Sequence, residues 1–126
     1  MPSLDDMVHE ARSRVREVSA DEAKAMVDSE PGALIVDVRE PHEFDMGHIP
    51  GAILAPLGRV RDLGDARSPM ALAELTAATG NLVVTQCATG KRSIVAADIL
   101  QKLGYANVVS MRGGFFGWAR LGLPID

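Results

Sequence analysis

The chain has 126 residues, 47% of them hydrophobic and 24% charged, which suits one domain around a single buried core. Its formal net charge of −4 and scattered cations argue against a nucleic-acid surface or a cationic patch for membranes. One cysteine cannot form an internal disulfide, and no apolar run approaches the roughly 18 residues that span a bilayer. The first residues carry no apolar run of the kind a signal peptide uses, so the expectation is a cytoplasmic soluble protein.

In chain order, Leu4, Met7, Val8, Ala11 and Val15 recur at helical spacing behind Ser3, with Asp6 placed to complete a cap. This helix is expected to form an N-terminal extension over residues 1–15. It would act as a dimerisation or docking helix or as a plain surface appendage, with the main domain over 16–126. Ser19 and Glu22 make a capping-box pattern ahead of Ala23, Met26 and Val27, and "EPG" at 30–32 ends that second helix. "ALIVDV" at 33–38 is a continuous apolar, β-branched run, the pattern of a strand buried on both faces. "EPHEF" follows, with Pro41 suited to a first helical turn.

"GAILAP" at 51–56 reads as a short strand closed by Pro56, and residues 57–69 read as irregular. A helix is predicted over 69–79, "PMALAELTAAT", with Gly80 beyond its end. "NLVVTQ" is a buried strand running directly into Cys87. Ile94, Val95, Ile99, Leu100 and Leu103 mark a helix that stops at Gly104, "NVVSM" at 107–111 a further strand, and 113–121 a final helix. Strands alternating with helices predict an α/β domain with a mainly parallel sheet.

Cys87 stands at the C-terminal end of a strand, where parallel α/β sheets build their sites. A free cysteine is commonly just a small buried hydrophobe. Here, however, "ATGKR" follows it. Small residues and Gly90 let the backbone curl with its N–H groups inward, and inward amides at a helix N-terminus cradle anions. Such a cradle suits a sulfur nucleophile, which reacts as its anion. Lys91 and Arg92 add charge that would draw in an anionic substrate. A solvated first turn is their plainer reading, though cations there oppose the helix dipole. No histidine adjoins Cys87 in sequence, so nothing local supports a Cys–His pair.

"CATGKRS" resembles the active-site loop of the rhodanese family of sulfurtransferases. "DVREPHEFDMGHIPGAI" at 37–53 resembles that family's strand, turn and Gly-His-Ile-x-Gly-Ala segment. "MRGGFFGWARLGLPI" at 111–125 is similar to its Gly-Gly-x-x-x-Trp helix and closing Gly-Leu-Pro. The three blocks span roughly residues 16–126 in the family's order. The resemblance implies a single rhodanese-like domain: a five-stranded, mainly parallel sheet flanked by helices on both faces, with the N-terminal helix as an extra.

It also implies ping-pong sulfur transfer through a Cys87 persulfide. A small anionic donor such as thiosulfate would load the cysteine, and cyanide or a thiol would unload it, with no metal and no organic cofactor. The loop Ala88, Thr89, Gly90, Lys91, Arg92 and Ser93 would bind substrate, the amides of 88–92 holding the outer sulfur. A protein donor or acceptor would make the domain a sulfur-relay module instead. The spacing from Cys87 to Arg92 is Cys-x4-Arg, whereas the related phosphatases and arsenate reductases use a loop one residue longer. An inactive regulatory domain is disfavoured by the intact cysteine and cations.

Asp37 and Arg39 are expected to tie a strand end to its turn, His48 to pack against backbone groups, and His9 and His42 to be exposed. Trp118 is expected in the core, with one of Phe115 and Phe116 a candidate for the pocket mouth. Gln86 replaces an aromatic residue common in the family, which predicts a more polar pocket wall. Ala88 replaces a larger or charged one, which removes a substrate contact.

Overall fold

A computed structural model describes residues 2–126. Strands β1 (Arg16–Val18), β2 (Leu34–Asp37), β3 (Ile53–Leu54), β4 (Leu82–Gln86) and β5 (Asn107–Met111) form one sheet in the order β1-β5-β4-β2-β3, every pairing parallel. All five residues of β4, at the centre, are buried. That is the burial the unbroken apolar runs demand, because helices must cover both faces of a parallel sheet.

One face carries α1 (Leu4–Arg12), α4 (Val60–Leu63), α5 (Ala73–Thr76) and α6 (Lys91–Lys102), around Val36, Val83, Leu75, Ile94 and Leu100. The other carries α2 (Ala20–Ser29) and α7 (Gly114–Arg120), around Ile35, Val84, Ile49 and Trp118. A short α3 (Pro41–Asp45) follows β2. The capping boxes of α1 and α2 form as their sequences indicate, Ser3 with Asp6 and Ser19 with Glu22.

Three differences from the sequence reading have physical causes. Residues 16–18 form an edge strand on β5 with only Val18 fully buried, too short for any periodicity to register. The helix predicted over 69–79 contracts to α5. Residues 68–72 are instead taken by a turn in which Ala71 N–H donates to Ser68 and Leu72 N–H reaches the Leu63 carbonyl. Residues 57–63, expected to be irregular, form a 3-10 turn at Leu57–Arg59 and then α4.

Helix α1 buries Val8 and Ala11 in the same cluster as α6. Just beyond its end, Arg14 donates two hydrogen bonds, 2.9 and 2.8 Å, to Asp98 on α6.

Gln86 alternates to the face opposite Thr85 and pairs in register with Asp37. It is fully buried, and neither amide atom has a hydrogen-bond partner among the described residues. It therefore forms no exposed pocket wall, contrary to expectation. A buried unpaired amide costs about 1–3 kcal/mol. The variant Gln86→Met, of similar volume, is expected to raise unfolding stability by about 1 kcal/mol or more in equilibrium urea denaturation. A lowered midpoint would show that the amide is satisfied.

Candidate active site

The chain leaves β4 at Cys87 and enters α6 at Lys91, so only residues 88–90 turn the corner. Gly90, at φ +108°, caps the helix in a conformation that other residues rarely adopt. The turn aims backbone donors at the sulfur. Gly90 N–H donates to Cys87 Sγ at 3.1 Å and Ser93 N–H at 3.4 Å, while Ser93 Oγ stands 3.6 Å away. Cys87 is 1% exposed.

Beneath it, Ser93 Oγ and Ser110 Oγ are hydrogen-bonded at 2.9 Å, both residues fully buried. Thr85 Oγ1 donates to the Ser93 carbonyl at 2.7 Å. The sulfur thus rests on a bed of hydroxyls and amides. Ser110 was missed by sequence reasoning; its only signal was a lone polar residue inside an apolar strand.

A second element fixes the loop from the other side. At the start of α7, Phe115 N–H donates to the Cys87 carbonyl at 2.7 Å and Phe116 N–H to the Ala88 carbonyl at 3.2 Å. With both carbonyls held there, the loop presents its amides to the sulfur. The contact leaves no room at Gly114, where a Cβ would lie 2.3 Å from the Cys87 oxygen.

Of the other loop residues, Ala88 is half-buried and Thr89 exposed, and neither side chain makes a hydrogen bond to the sulfur. The two cations are not free. Lys91 pairs with Asp5 at 3.3 Å, both well exposed. Arg92 makes a two-pronged pair with Glu43 of α3 at 2.8 and 3.1 Å. The sequence offered both as charge to draw in an anion or as a solvated first turn, and it did not single out Glu43, which lies 49 residues from Arg92.

Arg39 donates to both oxygens of Asp37 and, at 2.8 Å, to the Gly47 carbonyl, with its guanidinium 4.4 Å from the Phe115 ring centre. This buried pair is the tie expected of it. His48 stacks on Phe44, ring centres 3.8 Å apart, with Nδ1 3.1 Å from the Phe44 carbonyl, the packing against a backbone group expected of it. Trp118 is buried and donates from Nε1 to the Pro124 carbonyl; His9 and His42 are exposed. Arg39, Glu43, Met46, Gly47, Phe115 and Phe116 line a recess of about 240 Å³, so both phenylalanines border it. No His, Cys, Asp and Glu group that could hold a metal occurs among the described residues.

The rhodanese-like domain family matches residues 19–121, and those residues include the whole Cys87 loop and the glycines of α7. The chain belongs to the rhodanese-like domain family. A sulfurtransferase of Allochromatium vinosum is 32% identical over 111 residues, covering 88% of this chain and 94% of that protein. "Thiosulfate sulfurtransferase 16, chloroplastic" of Arabidopsis thaliana is 35% identical over 95 residues, 74% of this chain and 79% of that one. A solved Rhodopseudomonas palustris protein of unknown function, described as a possible tyrosine phosphatase, superposes with a TM-score of 0.89 at 31% identity. It covers all of this rhodanese-like chain and 96% of its own.

Two predictions follow from this geometry. Gly114→Ala drives a methyl into the loop carbonyls and is expected to destabilise the domain by about 3 kcal/mol, read by thermal and urea denaturation. An unchanged midpoint would mean that α7 shifts freely. The second concerns Glu43, whose carboxyl is held at about 2, below its usual 4.5, chiefly by the hydrogen bonds from Arg92. A lowered folded-state pKa stabilises above the unfolded value and loses that stabilisation as pH falls through the folded one. The stability gap between wild type and Glu43→Gln should therefore be widest above 4.5 and close as the pH falls towards about 2. A gap constant across that range would count against the pair.

Proposed function

We propose that this rhodanese-like domain is a sulfurtransferase that carries a sulfane sulfur on Cys87. The observation that supports this most directly is the sulfur in its cradle, Sγ accepting from Gly90 and Ser93 N–H at the end of β4. The sulfurtransferase relatives supply the class of chemistry.

In the first half-reaction the Cys87 thiolate attacks the outer sulfur of a donor such as thiosulfate. The donor's S–S bond breaks and sulfite leaves with the electron pair, so Cys87 holds a persulfide. The N–H groups of residues 88–92, with Arg92, hold the negative charge that this outer sulfur carries. In the second, cyanide or an acceptor thiolate attacks the outer sulfur. The Cys87 thiolate departs with its electron pair and the cycle closes with no net oxidant. Neither metal nor organic cofactor enters. With one cysteine in the chain, the acceptor comes from outside. The reading places the protein in the cytoplasm, where a lone thiol stays reduced.

The likeness to a possible tyrosine phosphatase favours a second reading, phosphoryl-ester hydrolysis through the same thiol. The six residues from Cys87 to Arg92 favour sulfur over the larger phosphoryl group.

Mass spectrometry after thiosulfate treatment is expected to find one added sulfur on Cys87, removed by reductant and absent in Cys87→Ser, with thiocyanate formed when cyanide is added. An unmodified Cys87 with rapid aryl-phosphate hydrolysis would overturn the proposal in favour of the phosphatase. Loading only by a persulfidated protein would make the domain a relay module. Arg92→Ala should raise the KM for thiosulfate by about three- to tenfold, the range of a single partly screened charge contact, and change that for cyanide less.

A further inference from the structure

Arg92 stands in the first turn of α6, directly before Ser93, whose N–H reaches the Cys87 sulfur. Yet its fork is already occupied. Glu43 Oε1 accepts from one guanidinium nitrogen at 2.8 Å and Oε2 from the other at 3.1 Å, the geometry in which arginine binds a carboxylate most strongly. The carboxylate is itself anchored, because Oε1 also accepts the Glu40 N–H at 3.0 Å across the first turn of α3. Both side chains are about three-quarters buried, 28% and 26% exposed, so solvent screens the pair less than it screens Lys91 and Asp5, which are 59% and 80% exposed. Glu43 also lines the recess that Phe115 and Phe116 border.

From this we infer that Glu43 is a positioning residue that sets donor selectivity: it occupies the anion-binding fork of Arg92, so that a small dianion must displace a tethered carboxylate before it binds. A donor with less negative charge near the loop meets no such competitor, and the site is biased towards it. The inference rests on Cys87 being the sulfur-carrying residue only for its consequence in turnover; the competition itself is a property of anion binding.

The test is therefore made first without chemistry, in a Cys87→Ser background, with thiosulfate titrated calorimetrically. Glu43→Gln keeps a carbonyl to accept the Glu40 N–H but removes the competing charge, and is expected to bind thiosulfate about three- to tenfold more tightly. Glu43→Asp withdraws the carboxylate by one methylene and should give a smaller gain. It also decides the matter if Glu43→Gln does not fold. Adding Arg92→Ala should abolish the difference between Glu and Gln at 43.

With Cys87 restored, the KM for thiosulfate should fall by the same factor while kcat stays within about twofold, a split that a loss of structure would not produce. Unchanged or weaker thiosulfate binding by a folded Glu43 variant overturns the inference. Tighter binding in a protein that never loads sulfur would leave it standing and remove the sulfurtransferase reading alone.

Discussion

The site depends on one backbone contact, the capture of the Cys87 and Ala88 carbonyls by the Phe115 and Phe116 amides at the start of α7. A peptide unit has two faces, and a loop that turns its N–H groups inward must send some carbonyls outward. In a buried corner those carbonyls need donors of their own. The first amides of α7 lack partners within their helix, so they supply them. Helix end and loop satisfy each other, and the close approach is open to a residue without a side chain. Gly114 is thus part of the cysteine's environment although it lies 27 positions from it (114 − 87).

The same economy of partners extends to the charges. Asp37 and Arg39 are both almost wholly buried, a costly arrangement unless each is satisfied. Arg39 meets both Asp37 oxygens, the Gly47 carbonyl and the face of Phe115, linking the end of β2 to the helix that holds the loop. Glu43, three positions past Glu40 on α3, then links that turn to Arg92. Two arginines thus join segments that are otherwise distant in the chain, Arg39 to Phe115 and Arg92 to Glu43.

Much of the fold was legible because it is written locally. Apolar runs gave β2, β4 and β5, serine–carboxylate spacing gave the starts of α1 and α2, and Cys87 stood visibly between a strand and a helix. The resemblance to rhodaneses, carried by the blocks at 37–53, 87–93 and 111–125, supplied the count of strands that periodicity did not reach. What escaped was non-local or very short. Residues 16–18 are a strand only because β5 lies beside them. Arg92 looked like free charge because its partner is in another element, and Gln86 looked like a pocket wall because the resemblance puts an aromatic residue there, whereas the strand buries it completely. Ser110 belongs to the site through Ser93, a contact that only the packing of β5 against α6 creates.

The sulfur's 1% exposure also bears on the hazards of an unpaired thiol. Oxidation needs direct approach of a reagent to sulfur, so susceptibility falls as exposure falls. At 1% exposure the thiol presents almost no surface to reagents in solution, whatever their size. Two copies of the domain face the same obstacle with each other, since neither thiol can protrude to meet its twin. The depth of the cysteine thus protects against covalent self-pairing.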